Sequence, residues 1–366
     1  MNERHKWHPV CDPPRALVWP VRPRPANPSG PTKAQAAGPR WRQTTRGFYV
    51  PTDTDSRLPE QRILEQSIRL QPGGAVTGWA GCRLNTANFF DGVLPDGKTR
   101  LPVPLAIGTG PQLTKTAQVT ISRDRIAADE IVLRYGIACA TRLRALFDAA
   151  RDAPDLRESV VAIDMMAAAK LVSISQVDDF VSSRAGWRGV EQVRRAIALA
   201  DEDSRSPNES RTRLIWELDA TLPRPLVNRP VFDLNGKLLG IPDLLDPVAG
   251  VVVEFDGADH RGAGRHSKDV GREHGFRNVG LEVCRVTGPD LSVPMHLVAR
   301  FESTRRRAQW ESEGQRAWTI QPPPDWPVKL SLDEHFAFEG QMREMHEQMA
   351  REMADATRAG QRTPNL

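Results

Sequence analysis

Cysteine is sparse and scattered in this chain: four among 366 residues, at Cys11, Cys82, Cys139 and Cys284. With no CxxC pair and no Cys/His spacing suited to a tetrahedral ion, the sequence offers neither a disulfide framework nor a zinc site. A reducing cytoplasm is its natural setting. Long apolar runs are missing as well. No stretch approaches the ~20 residues of a membrane helix, and the N-terminus lacks the hydrophobic centre of a signal peptide. The sequence therefore predicts a cytoplasmic protein with no membrane partner.

A consistent excess of one charge is also missing. The chain carries +4 overall with a pI near 9.0, which would suit an anionic partner. Residues 1–50, however, hold nine Lys/Arg against two acids, leaving 41 bases and 44 acids for residues 51–366. The basic excess belongs to one end, and the body is not a general polyanion binder.

What is present is periodicity that changes along the chain. Residues 1–40 hold nine prolines and no sustained pattern, and are predicted to be a disordered basic tail. Residues 41–137 read as α+β: a strand pair over Trp41–Val50, a helix over Leu58–Leu70, then short strands at Pro102–Ile107, Ala117–Ser122 and Glu130–Ile137. Residues 138–204 read as helical, with apolar spacing over Thr141–Ala150, Leu156–Ala169, Ser175–Ser183 and Val190–Ala200. The acidic stretch Asp201–Pro207 is expected to be a linker at the main domain boundary.

Residues 205–308 then run helix (Asn208–Ala220), strand (Val227–Leu234), Asn235-Gly236 turn, strand (Lys237–Leu245), strand (Val251–Asp256), helix (Arg265–Val279), strand (Leu281–Thr287) and helix (Pro289–Arg307). That is an α/β mixed sheet with helices on its faces. Residues 309–366 read as a polar, Pro-rich linker and a helix over Leu332–Ala356, opened by Ser331 and Glu334 in capping-box spacing. Met342, Met345, Met349 and Met353 recur on that helix three or four residues apart. Thioethers so spaced suit packing, self-association or a partner protein better than a ligand cluster.

The chemistry gathers around Val251-Val252-Val253-Glu254-Phe255-Asp256-Gly257-Ala258-Asp259-His260. Three valines mark a strand buried on both faces, and period two puts Glu254 and Asp256 on one of them. Carboxylates at the mouth of a buried strand need compensation, and a hard divalent cation is a common one. Asp243, after Pro242 on the preceding strand, can converge on Glu254. Glu209 in the first turn of the preceding helix is a candidate further ligand or orienter, and also a favourable N-terminal helix charge. Asp256-Gly257 also suits an ordinary turn, and Lys268 and Arg272 an exposed helix face.

Asn208-Glu209-Ser210, Pro242-Asp243 and the VVVEFDGADH run, in this order, resemble the PD-(D/E)xK nuclease superfamily, and within it the Vsr-like (very-short-patch-repair-like) domain. Lys268-Asp269-Val270-Gly271-Arg272 and Gly280-Leu281-Glu282-Val283-Cys284-Arg285-Val286-Thr287 extend the likeness over about residues 205–305. The resemblance implies a restriction-endonuclease-like fold, DNA as substrate, and Mg²⁺ or Mn²⁺ held by Asp243 and Glu254. Asp256 would stand where the wider superfamily has its lysine. His260 would then shuttle protons, and Lys268 or Arg272 would supply the missing positive charge. Arg46-Gly47-Phe48-Tyr49-Val50-Pro51, Ala75-Val76-Thr77-Gly78-Trp79-Ala80 and residues 139–148 are similar to AbiEi-type antitoxin proteins, whose opening helix-turn-helix would fall at Pro31–Arg40. Two functions follow as expectations: a metal-dependent DNA endonuclease, or a non-catalytic DNA-binding regulator that keeps the nuclease fold as a scaffold.

Overall fold

The computed structural model describes residues 8–12, 14, 16–109, 113–256 and 272–360. They form two compact units, Met1–Pro323 and Pro324–Leu366. The protein is mixed α/β, built from several sheets and many helices.

Residues 16–40 are not a loose tail. Val21 exchanges both backbone hydrogen bonds with Tyr49, each at 2.9 Å, and the Gln61 side chain brackets Val18 with two bonds of 2.9 Å. Proline removes donors from this segment, so the few N–H groups that remain are easily satisfied on the body. At Pro31–Arg40 the helical content is a single four-residue turn, α1 (Lys33–Ala36). That is too short to enter a DNA groove as a recognition helix.

Hairpin β1 (Trp41–Thr45) and β2 (Phe48–Pro51) leads to α2 (Pro59–Ser67), β3 (Ala75–Val76), α3 (Gly78–Leu84), β4 (Val103–Ala106) and β5 (Val119–Ser122). The expected strand over Glu130–Ile137 is instead a tight hairpin, β6 (Ile131–Arg134) and β7 (Ile137–Ala140). Its turn, Tyr135-Gly136, has φ of 51° and 77°. Two residues at positive φ match the twist of a hairpin, and a tyrosine at the first of them hides the signal. The sheet order is β5-β4-β3-β7-β6.

Four helices follow almost where the periodicity puts them: α4 (Arg142–Arg151), α5 (Leu156–Ala168), α6 (Ile174–Ser182) and α7 (Val190–Leu199). Residues 201–207 are not a free tether. Ser204 is buried, and the Asp201 N–H donates to the Asp164 carboxylate at 2.8 Å. The first apolar core ends at Leu214 in α8 (Pro207–Leu214), and the next begins at Ile215 in the π-helical turn that continues it.

The expected long hairpin over Val227–Leu245 is broken in two. Its inner ends, β8 (Leu226–Val227) and β11 (Leu244–Asp246), join β12 (Val251–Asp256) and β13 (Glu282–Thr287) in a sheet of order β13-β12-β11-β8. Its outer ends, β9 (Val231–Asp233) and β10 (Leu238–Gly240), form a second sheet with β14 (Trp318–Thr319). The breaks fall at Asn228-Arg229-Pro230, where Asn228 has φ 46°, and at Ile241-Pro242. Neither proline can donate to a ladder, so both strands stop there together. Strand β14 corrects the reading of residues 309–323 as linker: Trp318 is buried and pairs with Asp233.

Strand β12 is buried on both faces, as three valines in a row imply. Val251, Val253 and Phe255 face Trp216 and Phe301, the latter on α11 (Pro294–Arg307), past the single turn α10 (Gly288–Leu291). Val252 faces Phe276 on α9, the helix described over residues 272–278. In the second unit α12 (Leu332–Gly360) starts with the expected capping box, the Ser331 N–H donating to Glu334 at 2.8 Å and the Glu334 N–H to Ser331 at 3.2 Å. Met345, Met349 and Met353 are exposed on it, as is Phe338.

Candidate active site

The register of the four-stranded sheet builds the site. Leu244 pairs with Val253 and Val227, and Val253 with Cys284, giving an apolar row across all four strands. One residue further on come Asn228 and Asp243, just outside β8 and β11, and Glu254 and Arg285, paired within β12 and β13. The Asn228 N–H donates to the Asp243 carbonyl at 3.0 Å, so the ladder continues to this row. Side chains alternate along a strand, so Glu254 and Arg285 share a face with Val252 and Val283 and look toward α9.

Asp243, in the bend just before β11, and Glu254, on the neighbouring antiparallel β12, are only 4 % and 8 % exposed. Their charges are not idle. Asp243 Oδ2 accepts the Phe255 N–H at 2.6 Å, and Arg272, the first described residue of α9, donates to Glu254 Oε2 at 2.8 Å. Asp256, at the strand end, is paired with Arg285 at 2.9 Å. Arg285 also holds Glu273 at 2.6 Å. Arg285 is absent from the candidates drawn from sequence. The signal was the parallel pairing of β12 with β13, which places Glu254 beside Arg285 and which side-chain periodicity alone does not disclose.

Glu209 is buried as well. Its Oε2 accepts the Arg205 N–H at 2.9 Å and the Asn228 side-chain N–H at 2.8 Å. Burial pushes its carboxyl above the usual range, against the opposing pull of these hydrogen bonds. Through Asn228 it fixes the left-handed corner that carries the Asp243 ladder bond, so it positions the row. His260 and Lys268, given roles by the resemblance, lie outside the described residues.

Among the described residues no three His, Cys, Asp or Glu side chains gather closely enough to hold a metal ion. The pair Asp243 and Glu254 still suits one by donor chemistry. Mg²⁺ is commonly held by one or two carboxylates, with waters and substrate phosphate completing the shell. A cavity of about 1130 Å³ elsewhere in the first unit, lined by Trp79, Phe89, Phe90 and Arg211 among others, meets β12 only through Phe255, on the opposite face. Two arginines on its wall are ion-paired, Arg83 with Glu60 and Arg211 with Glu158.

No protein-family model matches the chain, and no match was found among curated proteins or solved structures. The two resemblances rest on the residues that suggested them.

Proposed function

We propose that residues 205–308 form a restriction-endonuclease-like domain of Vsr type that hydrolyses DNA phosphodiester bonds with Mg²⁺ or Mn²⁺. The observation that supports this best is the closeness of two buried carboxylates at the polar end of the sheet: Asp243 leads into β11 and accepts the N–H of Phe255, the residue after Glu254 on the neighbouring β12. The order helix, three antiparallel strands, helix and a parallel strand agrees with what the resemblance implies. When bound, the ion would lower the pKa of an attacking water and offset charge on the phosphate. Asp243 and Glu254 would hold it, and Asn228 with Glu209 would keep Asp243 in line. Arg272 and Arg285 would face the phosphate, in place of the lysine that Asp256 replaces. In this reading the protein is cytoplasmic, its partner is DNA, and the exposed methionines of α12 serve self-association or a partner protein. Among the described residues no helix is long and apolar enough to cross a membrane.

The test is plasmid nicking with Mg²⁺ or Mn²⁺. Asp243→Ala and Glu254→Ala are each expected to lower the rate at least a hundredfold, and cleavage that survives both overturns the site. A second reading, a DNA-binding regulator without catalysis, is favoured by one observation. Arg272 and Arg285 already neutralise Glu254 and Asp256. Metal-independent retardation of DNA in a gel, with no cleavage of any DNA offered, would decide for it.

A further inference from the structure

We propose that Arg272 is a counter-ion latch: it holds Glu254 in the resting protein and must release it before a divalent cation can settle on the carboxylate pair. The proposal rests on the reading of Asp243 and Glu254 as a cation site. Its first support is the contact itself, 2.8 Å between Arg272 Nη2 and Glu254 Oε2, with the two side chains 22 % and 11 % exposed. A guanidinium and a divalent ion on the same oxygens repel strongly in so sheltered a place, so the two occupants exclude each other.

The second support is that the arginine has a built seat. Its aliphatic stem runs over Gly240, the last residue of β10. A Cβ added there would come within 2.8 Å of Arg272 Cδ, 2.9 Å of Cγ and 2.7 Å of Phe276 Cζ. Gly240 is not among the residues at positive φ. What calls for glycine here is room for the arginine stem and for the Phe276 ring beside it. The third support is the division of labour along the row, since Arg285 is turned to Asp256 and Glu273. Guanidinium groups also bind phosphate oxygens in a forked manner, so an incoming phosphodiester offers Arg272 another partner. Release of Glu254 would then couple phosphate binding to metal binding, each favouring the other.

The experiment is Mn²⁺ binding to the full chain without DNA, followed by the electron paramagnetic resonance signal of the free ion. Arg272→Gln is expected to lower the Kd at least tenfold, Gly240→Ala to shift it the same way, and Glu254→Gln added to Arg272→Gln to abolish the gain. Equal or weaker binding in Arg272→Gln overturns the latch and leaves the cation site standing. Tight binding that ignores Glu254→Gln, or no binding by any of the proteins, overturns the cation site and the latch with it. Gly240→Ala keeps every charge, so it tests the latch even if Arg272→Gln fails to fold, with circular dichroism melts as the check.

Discussion

Glu209 is the buried acid behind the candidate site. Its carboxyl is buried and its folded pKa is raised, chiefly by desolvation. A raised value means that the folded state favours the protonated form. The stability this adds is full below the ordinary carboxyl value and is lost as pH rises through the raised one. Glutamine imitates the protonated form at every pH. Glu209→Gln is therefore expected to gain melting temperature relative to wild type between pH 4.5 and pH 7.5, measured by calorimetry. A relative loss over that range would show that the charged carboxylate is needed. At this scale the sequence placed Glu254 and Asp256 on a strand, where β12 has them, whereas Asp243 falls in the bend before β11 and not on the expected strand. Asn228 and Arg285 escaped because one depends on a left-handed backbone and the other on a parallel register.

Between elements, one fully buried joint is an ion pair. Arg213 on α8 meets Asp164 on α5 at 2.8 Å, both side chains fully buried, and Ser210 adds a hydroxyl bond of 2.7 Å to the same carboxylate. This pair sits where one apolar core gives way to the next, so it ties the helical region to the sheet that carries the site. Arg213→Met strands a buried carboxylate and is expected to cost about 3–5 kcal/mol in urea unfolding. A cost under about 1 kcal/mol would show that the pair is dispensable. Helices α4 to α7 were readable because apolar spacing near 3.6 survives any context. The hairpin of residues 227–245 was not, since its apolar run continues through the break and only Pro230 and Pro242 mark where the strands part.

For the whole molecule, the boundary suggested at residue 308 falls short of the fold. Strand β14 comes from beyond it and closes the edge of β9, with Trp318 buried against the face that includes Phe276 and Val252. A fragment of residues 205–308 is expected to sediment as oligomers or aggregate, and one of residues 205–323 to stay dispersed to a greater degree. Equal behaviour of the two in analytical ultracentrifugation would make β14 an ornament. If the difference is found, an inactive short fragment says nothing about catalysis. Without those two residues of strand, β9 offers bare amides and carbonyls to any neighbour, and self-pairing there would pull on the hairpin that leads into Asp243.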